Sequence, residues 1–168
     1  FCDLMRQSKD SYFRSLGVVA SDSRATKIDD RAKALRDYWE SSPKDELHAL
    51  IIWGKARNFL PLSLMKGLLT MMLPDLATGT RVKSFFEAET AAADSDYEQA
   101  LEKYKEALAQ DKQSRFLNDA ELIVVQFPLL RILGRNDELK GLIKAQLDKE
   151  NVPPMIWVTA ASNLKEIG

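Results

Sequence analysis

The amino-acid sequence predicts an all-α fold, and three observations lead to this prediction. Leu and Ala together fill 41 of the 168 positions, whereas Val and Ile together fill only 15, and this balance favours helices over sheets. Apolar residues recur at intervals of three and four along nearly every segment, and no segment keeps the period of two that is typical of a strand. Only 7 Gly and 6 Pro interrupt the chain. We therefore expect helices in almost every part of it.

The first two helices are expected before residue 42. Residues 3–17 are expected to form the first of them. The second runs from Ile28, with Thr26 as a candidate cap, and its apolar positions recur at helical spacing: Ala32, Leu35 and Trp39. This spacing places the apolar side chains on one stripe, which is the stripe that a helix buries against its neighbours.

Prolines mark the next two helices. Ser42 and Pro43 are a candidate cap and first-turn proline for a helix that continues to about residue 59. Pro61 starts another helix, which ends before Pro74 because a proline ring disfavours the helical conformation of the residues before it. The segment 64–73 between them is rich in Leu and Met, and we interpret it as a buried helix, with an adaptable peptide-binding surface as the alternative.

Two amphipathic helices follow, and they meet at a short polar turn. A helix is expected at residues 81–93, and the next at 97–109, with Asp96 as its cap and Gln99 completing a capping box. The second of these has the clearest pattern in the chain, since one stripe is apolar and Glu and Lys cover the rest. The apolar positions are Tyr97, Ala100, Leu101, Tyr104, Ala107 and Leu108.

The last third of the chain contains three further helix signals. Asn118 and Glu121 have the spacing of a capping box, with Leu117 and Leu122 as its hydrophobic staple. Pro128 lies inside the same apolar run and predicts a kink or a restart of the helix. A turn at 134–136 leads into a helix from Asp137, and Pro153–Pro154 opens the final helix.

The helices recur with a regular spacing. Expected helix starts lie near residues 44, 61, 81, 97, 119, 137 and 154, so that every second start is separated by 37, 36, 38, 40 and 35 residues. Helical hairpins that repeat every 35–40 residues are typical of stacked arrays, in which each unit buries its apolar face against the next.

Residues 94–108 resemble the second helix of a tetratricopeptide repeat. The small Ala100, the aromatic Tyr104 and the small Ala107 match that family's spacing for close helix packing. Residues 134–147 resemble a looser second copy, in which Leu139 and Gln146 replace the small residues. The resemblance is degenerate outside residues 94–149, where Ser84 replaces the usual Trp of a first helix.

This resemblance implies a fold of stacked antiparallel hairpins. The expected architecture is a short, curved, tetratricopeptide-like α-solenoid of seven to eight helices. We expect a single helical-repeat domain over residues 1–168, with N-terminal helices in 1–42, repeat-like hairpins in 43–152 and a capping helix in 153–168.

The resemblance also places candidate partner-binding residues on the first helices of the hairpins. Tetratricopeptide domains that hold chaperone C-termini grip the terminal carboxylate with Lys, Asn and Arg on these helices. Here the corresponding inward positions include Phe85, Glu89, Glu121 and Arg131. Only Arg131 can bind a carboxylate, whereas the two glutamates repel one. We therefore expect a partner with an apolar or mildly basic segment rather than an acidic tail.

Residues that could carry chemistry are scarce. One Cys and one His exclude a disulfide framework and any site that needs several thiol or imidazole ligands. His48 is expected to be a structural or solvent-facing residue, and no nucleophile, phosphate-binding loop or metal motif accompanies it. Gly54, Gly67 and Gly141 lie inside helical patterns, where close approach of two helices would explain them. We expect no catalytic, cofactor-binding or metal-binding residue.

The expected function is therefore protein–protein interaction. The chain would act as a scaffold domain that holds a partner segment or docks within a larger assembly, and it would not be an enzyme itself. The alternative is a non-catalytic helical domain that regulates a larger enzyme or controls access of its substrate. The sequence of the whole protein would separate the two, since the second requires an adjoining catalytic domain.

Charge and hydropathy restrict the partners further. The formal net charge of −1 argues against nucleic-acid binding. The longest apolar stretch, Phe59 to Leu73, is shorter than the roughly 20 residues of a membrane-spanning helix.

The chain begins with Phe1, which is typical of a fragment or a processed form, and a cytoplasmic location is slightly favoured. The partner's identity, the compartment and the oligomeric state are left open.

Overall fold

The computed structural model describes residues 27–110 and 117–168. These residues contain α-helices, one short 3₁₀ turn and no β-strand, which confirms the all-α prediction for this part of the chain. The helix expected at 3–17 and the candidate cap Thr26 lie outside the described residues. The chain divides into two compact units, residues 1–77 and 78–168. A single helical-repeat domain over 1–168, and a solenoid arrangement of it, stay predictions.

The first unit contains three helices in its described part. They are α1 (Ile28–Ser41), α2 (Glu46–Phe59) and α3 (Leu62–Met72), and a 3₁₀ turn follows at Leu73–Asp75. The core is built from one face of each helix, and its largest fully buried side chains are Trp39, Tyr38, Ile52, Leu68, Leu69 and Met72. The Trp39 indole donates a hydrogen bond of 3.1 Å to Asp75, which fixes the 3₁₀ turn to α1.

The start of α2 differs from the prediction. Asp45, rather than Ser42, caps this helix, because its carboxylate accepts a hydrogen bond of 3.0 Å from the His48 backbone N–H. Ser42 terminates α1 instead, since both its N–H and its hydroxyl donate to the Trp39 carbonyl. Pro43 therefore lies between two helices. The prediction of Ser42 and Pro43 as cap and first-turn residue is wrong.

The second unit begins with a helical hairpin. Helices α4 (Arg81–Ala93) and α5 (Tyr97–Ala109) start at the positions that the sequence predicts. Thr80 caps α4 and Asp96 caps α5, each accepting a hydrogen bond from the backbone N–H three residues later. The helices run antiparallel, because Ser84 contacts Glu106 and Gln110 near the end of α5 whereas Glu89 meets Tyr104 nearer its start.

The rest of the second unit contains α6 (Asp119–Val124), α7 (Gln126–Ile132), α8 (Asn136–Leu147) and α9 (Pro154–Ile167). Asn118 and Glu121 form both hydrogen bonds of the predicted capping box. The predicted break also occurs: Pro128 has no N–H for the Val124 carbonyl, and the helix is interrupted at Val125. If α6 and α7 are counted as one bent helix, the described residues contain eight helices.

The buried side chain of Arg81 contacts residues at the end of α5 and at the start of α6. Its guanidinium is 3% exposed and forms a 2.8 Å ion pair with Asp119, the first residue of α6. It also donates to the carbonyls of Leu117, at 3.1 Å, and Gln110, at 3.3 Å. These bonds join the start of α4 to the end of α5 and to the start of α6. A buried guanidinium with this many acceptors keeps its charge solvated by protein atoms.

Three glycines do not have the role that the sequence predicts. A Cβ placed on Gly54, Gly67 or Gly141 meets no atom of the described residues within 4 Å. Close approach by a helix of the described residues therefore does not explain them, and for this part of the chain the prediction is wrong. The spacing of apolar residues indicates that a residue lies inside a helix, but it does not indicate the distance to the neighbouring helix.

Candidate functional site

The predicted partner-binding residue Phe85 lies in the core of the α4–α5 hairpin. It is 1% exposed, and its ring packs against Phe86 and Tyr104 at centroid distances of 5.8 and 5.9 Å. An aromatic residue in this position contributes about 1.5–3 kcal/mol through burial. In this structure Phe85 is therefore part of the hairpin core.

Glu89 lies on the same helix as Phe85, and Tyr104 contacts both residues. The Tyr104 hydroxyl donates a hydrogen bond to the Glu89 carboxylate, while the Tyr104 ring packs on Phe85. The half-buried Glu89 therefore provides the acceptor that the polar end of an otherwise buried tyrosine needs. This pair joins α4 to α5.

Glu121 and Arg131 lie at opposite ends of the bent helix α6–α7. Glu121 accepts a hydrogen bond from the Asn118 backbone N–H in the capping box. Arg131 forms a 3.5 Å ion pair with Glu166 on α9. The four predicted residues therefore do not form one cluster, and each has a partner inside the second unit. Partner binding by Phe85, Glu89, Glu121 and Arg131 stays a prediction.

A polar network covers one edge of the α4–α5 hairpin. The Lys103 ammonium lies 2.8 Å from the Glu87 carboxylate and 2.9 Å from that of Glu106. Glu106 also accepts a hydrogen bond of 3.0 Å from the Ser84 hydroxyl. The bonds from Lys103 and Ser84 lower the pKa of Glu106 below its ordinary value of 4.5. In the same network, the bonds to Glu87 and Glu106 raise the pKa of Lys103 above its usual range.

A second ionic cluster lies where α8 begins. Arg135 forms a 3.0 Å ion pair with Glu98 of α5 and also pairs with Glu138. Lys105 of α5 lies 2.7 Å from Glu138. Hydrogen bonds from Lys105 and from Arg135 lower the pKa of the Glu138 carboxyl. Both clusters lie at the surface and combine ion pairs between helices with i,i+3 pairs, so each pair is expected to add little to the stability of the unit.

His48 has a structural role in the first unit. Its Nδ1 lies 2.6 Å from the carboxylate of Asp45, and its ring centroid lies 5.8 Å from that of Tyr38. Burial raises the pKa of Asp45, but hydrogen bonds from the His48 backbone and ring outweigh that effect, and the net pKa is lowered. The histidine thus reinforces the cap of α2.

The most unusual surface of the second unit is the outer side of α9. Trp157 is 52% exposed and Val158 is 71% exposed, although both are large apolar residues. Ala161 is exposed beside them, one turn further along the helix. We call these three residues the outer face of α9. The inner face of the same helix consists of Ile156, Ala160 and Asn163, which are buried.

Helical geometry separates these two faces. Counted from the exposed Pro154, the residues Trp157, Val158 and Ala161 lie at i+3, i+4 and i+7 and share one stripe. Ile156, Ala160 and Asn163 form a second stripe. The apolar spacing of residues 153–168 predicts a helix there, but it does not separate these two stripes. The sequence signal for this exposed apolar face is the presence of two apolar stripes on one helix, since a capping helix ordinarily has a polar outer side.

Among the residues that the structure describes, no group of three or more His, Cys, Asp or Glu side chains is placed to hold a metal ion. In the same part of the chain, no helix has both the length and the hydropathy needed to cross a membrane. Comparison of the chain with family models, with curated proteins and with solved structures gives no significant match.

Proposed function

We propose that this chain is a protein-interaction domain, and that the outer face of α9 is the surface that holds the partner. The observation that carries the proposal is the exposure of Trp157 and Val158 on a helix whose opposite face is already buried. Contiguous exposed apolar side chains are typical of protein-contact surfaces, and Trp is enriched among the residues that contribute most to binding.

Two other features of the second unit support the proposal, namely the use of its charged side chains and the positions at which its helices start. Several of its ionisable side chains form ion pairs between helices or helix caps, as Lys105 does with Glu138 and as Glu121 does in the capping box. The hairpins also support a tetratricopeptide-like architecture as part of this proposal, because the expected starts of α4, α5, α6 and α9 coincide with the observed ones. Helical hairpin arrays present side chains on rigid elements, which suits binding of a partner segment.

The proposal is tested by affinity capture with the full 168-residue chain. Val158→Glu places a charge in the outer face of α9, and Ala145→Glu places the same charge on an exposed position of α8. Proteins captured by the wild type and by Ala145→Glu, but lost with Val158→Glu, are the expected result. An unchanged set of captured proteins with Val158→Glu contradicts the proposal, provided that circular dichroism shows both variants folded.

A further inference from the structure

We draw no further inference here: the strongest candidate outside the outer face of α9, the exposed apolar patch of Phe59 and Leu62 where α2 ends and α3 begins, carries none, because nothing in the structure shows what covers it.

Discussion

Two residues with left-handed backbone conformation reverse the chain in the second unit. Ser95, with φ of 63°, follows α4, and Gly134, with φ of 70°, follows α7. Both turns have the same hydrogen bonds, since Asp96 N–H donates to the Ala91 carbonyl and Arg135 N–H donates to the Leu130 carbonyl. This arrangement is the Schellman motif, in which glycine is preferred because it has no Cβ.

The two turn residues give a matched pair of substitutions. Ser95→Gly should raise the free energy of unfolding by about 1 kcal/mol, because the strain of a left-handed L-residue is removed. Gly134→Ala should lower it by about 1 kcal/mol through backbone strain, since a Cβ at Gly134 meets no atom of the described residues within 4 Å. Urea unfolding followed by circular dichroism measures both changes. Changes of the same sign in the two variants would contradict this account of the turns.

At the scale of the element, the α4–α5 hairpin depends on small residues. Ala100 and Ala107 are both fully buried in α5. Ala100→Leu should overpack the hairpin and lower the free energy of unfolding by about 1–3 kcal/mol. Ala109→Leu, at an exposed position of the same helix, is the control and should have little effect. A thermal midpoint for Ala100→Leu equal to that of the wild type would show that the helices are not closely packed there.

The ion pairs of α5 predict how stability depends on pH. The pKa of Glu106 in the folded chain lies below its ordinary value of 4.5, because Lys103 and Ser84 hydrogen-bond the carboxylate. The corresponding stabilisation is complete above the unfolded pKa and is lost as pH falls through the folded pKa. Glu106→Gln should therefore reduce the loss of stability between about pH 5 and pH 2. Glu102→Gln, at an exposed position of α5, is the control, and an equal reduction in both variants would contradict this explanation.

The elements themselves were largely predictable because their signals are local. Pro61, the Asn118 capping box and Pro154 each act on the turn of chain beside them, and α3, α6 and α9 begin where these signals predict. The cap of α2 was not predictable in the same way. Ser42 and Asp45 are both good caps in isolation, and the choice depends on Ser42 being used to end α1.

At the scale of the whole molecule, the all-α class follows from the composition and from the spacing of the apolar residues. The burial or exposure of each helix face does not follow from them. Phe85 and Trp157 are both aromatic residues at helical spacing, yet one is 1% and the other 52% exposed. A sequence pattern identifies apolar faces but does not count the elements available to cover them. For this reason the candidate site on α9 became apparent only from the burial of its neighbours. The division into units 1–77 and 78–168 also depends on tertiary contacts.

The central claim is that the outer face of α9 is open in the free chain, and the fluorescence of Trp157 tests it most directly. Subtracting the spectrum of Trp157→Phe from that of the wild type isolates this residue from Trp39, which is 1% exposed, and from the half-buried Trp53. The account predicts long-wavelength emission that acrylamide quenches nearly as freely as it quenches a solvated indole. A short-wavelength emission that resists acrylamide in dilute solution would show that the face is already covered, and would contradict the claim.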